Sequence, residues 1–258
     1  MQFKFQNKTI YYKTEGCGKA VVLLHGFLEN QSMWDEIVLE LSKTHQVIRL
    51  DFPGFGNSEN LADGYSMENL AHLTHELIKE LEVDKYSLIG HSMGAYVAVE
   101  ICKLFPNEIE QLILFHSTAK SDSESKKKDR DRAIKAVNNK QSIYLKTAIP
   151  FLFPKQYQIS YLKFIKKMIQ EAEGLKDKGI SDAIGAMKNR NDNSEVVKNL
   201  NCKKTYIAGR LDPLLKFSDL KEEAINNHAN FIEIENAGHM SHWENPTAVI
   251  QAFKKIIA

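Results

Sequence analysis

Six short, almost wholly apolar runs alternate along this chain with longer segments in which apolar residues recur every three or four positions. Such runs are typical of strands buried on both faces, and the longer segments have the period of amphipathic helices. The runs are 20–24, 46–50, 86–89, 111–115, 205–208 and 231–234, and the helical segments are 33–42, 67–81, 93–105, 214–226 and 246–257. This alternation predicts an α/β fold with a mainly parallel sheet that is covered by helices on both faces.

An edge hairpin and a helical insertion complete the predicted architecture. Residues 2–6 and 9–13 alternate polar and apolar side chains around Asn7-Lys8, the pattern of an antiparallel hairpin. The hairpin brings the expected sheet to eight strands. Strand patterns are absent between 117 and 200, so we expect a core of residues 1–116 and 201–258 with a helical cap or lid insertion at 117–200.

Two features of the expected insertion have alternative interpretations. Its opening, SDSESKKKDRDR, could form an anion-binding patch, but its acids nearly match its bases and a solvated helix start is the favoured interpretation. Its aromatic residues could line an apolar substrate cavity or simply pack helices together, and the sequence does not choose between these. They are Tyr144, Phe151, Phe153, Tyr157, Tyr161 and Phe164.

Composition narrows the class of ligand. Lys and Arg number 34 against 33 Asp and Glu, so no net charge attracts nucleic acid or an anionic membrane, and a small molecule is the expected partner. Cys17, Cys102 and Cys202 are too far apart in sequence for a metal-binding or redox pair. No signal peptide or membrane-spanning run is recognisable, so a cytoplasmic location is expected. The oligomeric state cannot be read from the sequence.

The stretch YSLIGHSMGAYVA, residues 86–98, changes from a strand pattern to a helix pattern at a serine between two glycines. Gly90 and Gly94 permit a turn too tight for side chains, so Ser92 can sit in a strained conformation with its hydroxyl exposed at the end of the sheet. The N-terminus of the following helix offers free N–H groups to a developing negative charge.

This stretch resembles the nucleophile elbow of the α/β-hydrolase family, and other marks of that family follow in order. His25-Gly26-Phe27 follows one predicted strand, and DFPGFGNS, residues 51–58, follows the next. Gly209-Arg210-Leu211-Asp212 comes after the insertion, and Gly238-His239 follows the last strand. The resemblance covers nearly the whole chain except the insertion.

Membership of that family would give five residues a role. It implies that Ser92 attacks an acyl carbonyl, that His239 takes and returns the proton, and that Asp212 orients the imidazole. The backbone N–H groups of Phe27 and Met93 would form the oxyanion hole.

Ordinary structural roles compete with the assignments of Ser92 and Asp212. Ser92 could be a helix N-cap, and Asp212, which precedes Pro213, could cap the next helix. The catalytic interpretation is favoured for both because each residue falls at a strand end in the family's order. Asp122, after the preceding strand, is the alternative acid.

Four histidines lie in or next to these motifs. His242 is a competitor for the role of His239, but the position directly after a strand end favours His239, with His242 packing near Trp243. We expect His91 to point away and pack, and His25 to brace the oxyanion loop.

The expected function is a serine hydrolase of the carboxylesterase type that cleaves a small carboxylic ester or related acyl compound through an acyl-enzyme intermediate. Alternatives that use the same residues are a carbon–carbon bond hydrolase or lyase on a keto-acid, an acyltransferase, and a non-catalytic ligand receptor. The sequence contains no dinucleotide or phosphate-loop motif and no metal-ligand spacing, so no cofactor and no metal are expected.

Overall fold

A computed structural model describes all 258 residues and contains one eight-stranded sheet in the order β1-β2-β4-β3-β5-β6-β7-β8. The strands are β1 Gln2–Phe5, β2 Lys8–Glu15, β3 Lys19–Leu24, β4 His45–Leu50, β5 Tyr86–His91, β6 Ile109–Phe115, β7 Lys203–Gly209 and β8 Asn230–Ile234. β2 runs antiparallel to β1 and β4, and every other neighbouring pair is parallel. The predicted fold class is confirmed.

The edge hairpin forms with its turn one residue earlier than predicted. Gln6 and Asn7 form the turn, with φ values of 49° and 61°, whereas Lys8 already belongs to β2. Two consecutive residues in the left-handed region match the twist of the flanking strands, and asparagine tolerates this conformation well.

Ten α-helices accompany the sheet. They are α1 Asp35–Leu41, α2 Met67–Glu80, α3 Met93–Leu104, α4 Glu124–Ala148, α5 Leu162–Glu173, α6 Asp177–Lys188, α7 Ser194–Asn199, α8 Phe217–Asn226, α9 Ser241–Glu244 and α10 Pro246–Ile257. α1 begins two residues later than predicted because a 3₁₀ turn, Gln31–Trp34, precedes it and is capped by the Asn30 side chain. The sequence period therefore located five of the six helices outside residues 117–200, but it missed the short α9 and the 3₁₀ turn before α1.

Helices α4 to α7 occupy residues 117–200, between β6 and β7, which we call the helical segment. α4 is kinked at Lys140, whose φ of −153° and ψ of 77° are not helical. α4 packs against both α5 and α6. The helical content agrees with the sequence pattern, while the boundaries of a separate cap domain stay a prediction.

Each face of the sheet buries its own apolar core. Along β3, Val22 and Leu24 belong to the larger core, whereas Val21 and Leu23 belong to the smaller one, which α1 and α10 cover. Side chains alternate across a strand, so a continuous apolar run is what two covered faces require. No helix is long and apolar enough to span a bilayer.

The turn between β5 and α3 is tightly packed near the candidate site. A Cβ at Gly90 would overlap the backbone of Ala95, and one at Gly94 would overlap the carbonyl oxygen of Leu24 on β3. Both glycines are therefore required by close approach of backbone, as the sequence predicted.

We expect Gly94→Ala to lower the free energy of unfolding by about 1–3 kcal/mol, because the new methyl group must displace β3 backbone. Gly185→Ala is the matched control, since a Cβ there meets nothing within 4 Å in the interior of α6. That substitution should instead stabilise the protein by about 0.5–1 kcal/mol. Urea unfolding measures both, and an equal effect of the two substitutions would contradict the packing explanation.

Candidate active site

Ser92 occupies the turn between β5 and α3 with a backbone that serine rarely adopts. Its φ is 50° and its ψ is −113°. Conformations of this kind cost about 1–3 kcal/mol and persist only where the surroundings impose them. Here the Ser92 N–H donates to the Phe115 carbonyl at 2.9 Å, and its carbonyl accepts from Ser117 Oγ at 2.8 Å. The Ser92 side chain makes no capping hydrogen bond, so the N-cap interpretation fails.

Asp212 and His239 lie in hydrogen-bond contact after β7 and β8. His239 Nδ1 is 2.8 Å from Asp212 Oδ2, and the carboxylate is fully buried. The other oxygen, Oδ1, accepts from the N–H groups of Leu214 at 2.8 Å and Leu215 at 3.1 Å. Asp212 thus serves the following turn with one oxygen and the imidazole with the other, and the two interpretations of this residue are compatible.

A second histidine on Asp212 was not predicted from the sequence. His116 Nδ1 lies 3.1 Å from the same Oδ2, and His116 Nε2 lies 2.6 Å from Ser241 Oγ. Burial lowers the pKa of His116 to about 4, so its ring is neutral near pH 7. Burial alone would raise the pKa of Asp212, but His239 and His116 hold it well below its ordinary value. Asp212 is therefore ionised and held on both sides.

Glu29 is a buried carboxylate whose role was not predicted from the sequence. Glu29 Oε2 accepts from the Gly26 N–H at 2.9 Å and lies 2.7 Å from His91 Nδ1. The other nitrogen of His91, Nε2, lies 2.9 Å from the carbonyl oxygen of His239. Because both ring nitrogens face acceptors, both must carry a proton, and His91 is an imidazolium paired with the Glu29 carboxylate.

In the Glu29–His91 pair each charged group stabilises the charged form of the other. Burial would by itself raise the pKa of Glu29, yet His91 and His242 lower it far below its ordinary value. Burial would likewise lower the pKa of His91, yet Glu29 raises it. The pair joins the loop before Glu29, the nucleophile turn and the loop of His239, which is more than the packing role expected for His91.

The remaining histidines take structural positions. His25 Nε2 accepts from the Phe52 N–H at 2.9 Å and its Nδ1 lies 2.8 Å from the Gly26 carbonyl, so it braces this loop as expected. His242 is buried with its ring centroid 4.6 Å from that of Trp243, again as expected.

Asp122, the alternative acid, forms its ion pairs elsewhere. Its two oxygens pair with Arg190 Nη1 at 2.7 Å and Arg130 Nε at 3.0 Å. The structure thus brings Asp212, and not Asp122, to His239.

One cavity of about 530 Å³ joins these residues to the helical segment. Ser92, His239 and Phe27 line it from the sheet side, and Leu152 and Met187 line it from the helical segment. None of the six aromatic residues noted in the insertion lines this cavity; Phe153, for example, is buried and stacks 6.4 Å from Trp243. Five of the six pack against the core or against one another, as the packing interpretation requires, whereas Phe151 is exposed.

Two N–H groups are available beside Ser92. The Phe27 N–H donates to no other group of the chain. Met93 is the first residue of α3, where an N–H has no intrahelical partner. Both N–H groups are therefore free, and their role as an oxyanion hole stays a prediction.

Two residue groups have the composition of metal sites: Glu29 with His91 and His242, and Asp212 with His116 and His239. In each group the ligand atoms lie within 4.8 Å of one another. The shortest contacts within both groups are the hydrogen bonds described above, so side-chain pairing alone accounts for their arrangement.

Comparisons with known proteins identify the family to which this fold belongs. The sequence model of a family described as the alpha/beta hydrolase fold matches residues 19–246. A thermophilic esterase from Thermogutta terrifontis, solved with malate bound, is similar at a TM-score of 0.91 with 27% identity, over 97% of this chain and 93% of that chain. An enol-lactonase from Burkholderia xenovorans has a TM-score of 0.90 with 21% identity, over 100% of this chain and 99% of that one, a likeness of fold alone.

Curated relatives match over shorter stretches. The pimeloyl-(acyl-carrier protein) methyl ester esterase of Nitrosomonas europaea is 33% identical over 110 residues, which are 43% of this chain and 42% of that protein. The matched stretch spans only 30% of an uncharacterised protein of Mycobacterium tuberculosis. Both alignments cover less than half the length of the relative.

We expect Glu29→Gln to lower the free energy of unfolding at pH 7 by about 3 kcal/mol or more, because it leaves the His91 imidazolium buried without its counter-charge. The lowered pKa of Glu29 means that its stabilisation is present above the ordinary glutamate pKa of about 4.3 and declines as the pH falls below it. The difference from the native protein should therefore shrink in acid.

Urea unfolding at pH 7 and at lower pH measures this effect. Glu36→Gln, on the exposed side of α1, is the matched control and should change the free energy of unfolding by no more than about 0.5 kcal/mol. Equal stability of the Glu29→Gln and native proteins at pH 7 would contradict a charged pair.

Proposed function

Because the chain belongs to the α/β-hydrolase family, we propose that it is a serine hydrolase that cleaves small carboxylic esters through an acyl-enzyme intermediate. The observation that carries the proposal is the strained backbone of Ser92, which lines the same cavity as His239 and as Phe27, whose N–H group is free. A strained, partly exposed serine beside a histidine–aspartate pair is the arrangement that activates a hydroxyl.

In the first step, Ser92 Oγ attacks the ester carbonyl carbon while its proton passes to His239. His239 uses Nδ1 for Asp212, so Nε2 is the nitrogen that takes the proton. The Asp212 carboxylate then stabilises the imidazolium that forms and keeps the ring oriented. His116 contacts the same Oδ2 as His239, so it helps to position the carboxylate, and it stays neutral.

Negative charge develops on the carbonyl oxygen during this attack. The N–H groups of Phe27 and Met93 would donate to that oxygen, and the N-terminal end of α3 adds its positive dipole. In well-studied hydrolases one such donor contributes about 3–4 kcal/mol to the transition state. Glu29 holds the loop of Phe27 against the nucleophile turn, because it accepts from the Gly26 N–H and also pairs with His91.

The tetrahedral intermediate then collapses. The carbon–oxygen bond to the alcohol breaks, and His239 returns its proton to the leaving alcohol. A water molecule, deprotonated by His239, attacks the acyl-serine in the same way and releases the carboxylic acid.

Two kinds of support favour esters as substrates. The similar solved protein from Thermogutta terrifontis is an esterase, and the curated relative from Nitrosomonas europaea is a methyl ester esterase. The cavity volume, about 530 Å³, is in the range of small-molecule sites. We further propose that the helical segment, residues 117–200, acts as a cap, since its residues Leu152, Met187 and Arg190 line the same cavity as Ser92.

We expect the protein to hydrolyse p-nitrophenyl butyrate and Ser92→Ala to remove this activity by at least about 10³-fold while the fold is retained. Asp212→Asn should lower kcat by about 10³- to 10⁴-fold, because the amide cannot hold the productive imidazole tautomer. Initial rates and thermal unfolding of each variant provide the measurement.

Asp129→Asn, on the outside of α4, is the matched control and should hydrolyse the ester at the native rate. Turnover of the ester by Ser92→Ala would overturn the proposal. A folded native protein that turns over neither esters nor keto-acids would support a ligand receptor instead.

A further inference from the structure

The cavity beside Ser92 has an excess of positive charge. Its wall contains five cationic side chains, Lys120, Lys126, Arg130, Arg190 and Lys216, and four anionic ones, Glu29, Asp122, Asp219 and Glu223. Glu29 is neutralised by His91, and Asp219 pairs with Lys216 at 3.2 Å. Four cations then remain against two carboxylates, so an anionic group of a ligand is attracted to this wall.

Arg190 and Asp122 form the rigid part of that wall. The Arg190 side chain is only 5% exposed; its Nε donates to the Lys120 carbonyl at 3.1 Å and its Nη1 donates to Asp122 and to the Met187 carbonyl, both at 2.7 Å. The guanidinium also lies 4.0 Å from the centre of the Tyr96 ring. Tyr96 is four residues after Ser92 on α3, so this wall stands one helical turn from the nucleophile.

Arg130 is the residue of this wall whose guanidinium still has nitrogens free to bind a ligand. Its only hydrogen bond within the chain runs from Nε to Asp122 Oδ2 at 3.0 Å, and its side chain is 17% exposed. The terminal nitrogens Nη1 and Nη2 have no partner and are not sealed from solvent. Asp122 meanwhile gives its other oxygen to Arg190, so it fixes Arg130 without occupying the two terminal nitrogens.

We propose that Arg130 binds a carboxylate of the substrate. The esters that this protein cleaves are then those that carry, besides the ester group, a free and negatively charged carboxylate. This inference rests on the proposed ester hydrolysis and specifies its substrate class. The planar pair of guanidinium nitrogens matches a carboxylate in two parallel hydrogen bonds, which gives orientation as well as affinity. Lys120 and Lys126, which form no ion pair, add long-range attraction at the same wall. Asp122 and Arg190 are positioning residues.

The test compares matched ester pairs on the native protein and on Arg130→Gln. Monomethyl glutarate carries the charge on the acyl half and butyryloxyacetate carries it on the alcohol half. Methyl valerate and ethyl butyrate are their neutral counterparts, with a methyl group in place of the carboxylate. Arg130→Gln should lower kcat/KM by about 10- to 100-fold for one charged ester, the value expected for a charged bidentate hydrogen bond, and by less than twofold for the neutral esters.

Arg132→Gln is the matched control, because Arg132 lies on the same helix, is 71% exposed and pairs only with Asp129. It should leave all rates unchanged. Equal losses on charged and neutral esters with Arg130→Gln, or no loss on either charged ester, would overturn the anion subsite while ester hydrolysis itself stands.

A binding experiment separates the subsite from catalysis. Glutarate binding to Ser92→Ala, followed by calorimetry, needs no turnover, and adding Arg130→Gln should weaken it by at least tenfold. Unchanged glutarate affinity would overturn the inference. Loss of affinity in a protein that hydrolyses no ester would instead keep the subsite and refute the proposed reaction.

Discussion

The turn that carries Ser92 is the constraint on which the rest of this site depends. β5 and β3 are adjacent parallel strands, and α3 must leave the end of β5 while passing close to β3. Only a residue without a side chain fits at Gly94, and only a backbone with positive φ at Ser92 completes the reversal. The hydrogen bonds from Ser92 to Phe115 and Ser117 tie this strained conformation to β6. The fold therefore supplies the energy that holds the serine exposed.

Two buried carboxylates hold the other loops against that turn. Asp212 is shared by His239 and His116, and Glu29 is shared by the Gly26 N–H and His91. A buried charge is tolerated only when paired and hydrogen-bonded, so each carboxylate requires its partners to remain in place. Because His91 also reaches the His239 carbonyl, movement of either loop would break contacts in both networks. This coupling holds together residues from the ends of five strands, β3, β5, β6, β7 and β8.

The sequence predicted the parts of this structure that depend on local pattern. Apolar runs located the six parallel strands because both of their faces are covered, and the Gly-x-Ser-x-Gly stretch located the turn because its crowding dictates residue type. Glu29 and His116 could not be found in this way. Each looks ordinary in sequence, and its role arises from neighbours 62 and 96 residues away that only the closed sheet brings together.

The charged stretch at the start of α4 illustrates the same limit. Nearly balanced charges favoured a solvated helix start, and that description holds for Arg132, which is exposed. Arg130 lies two positions earlier and lines the cavity instead, because residues two positions apart on an α-helix point to nearly opposite sides. The net charge of a segment therefore does not reveal which of its charged side chains line the cavity of Ser92.

A fluorophosphonate probe tests the central claim, that the fold activates Ser92 as a nucleophile, most directly. Intact-mass measurement after labelling should show one phosphonyl adduct on the native protein, and peptide mapping should place it on Ser92. Ser92→Ala protein should remain unmodified. A folded native protein that takes up no probe, or takes it up at another serine, would contradict the account.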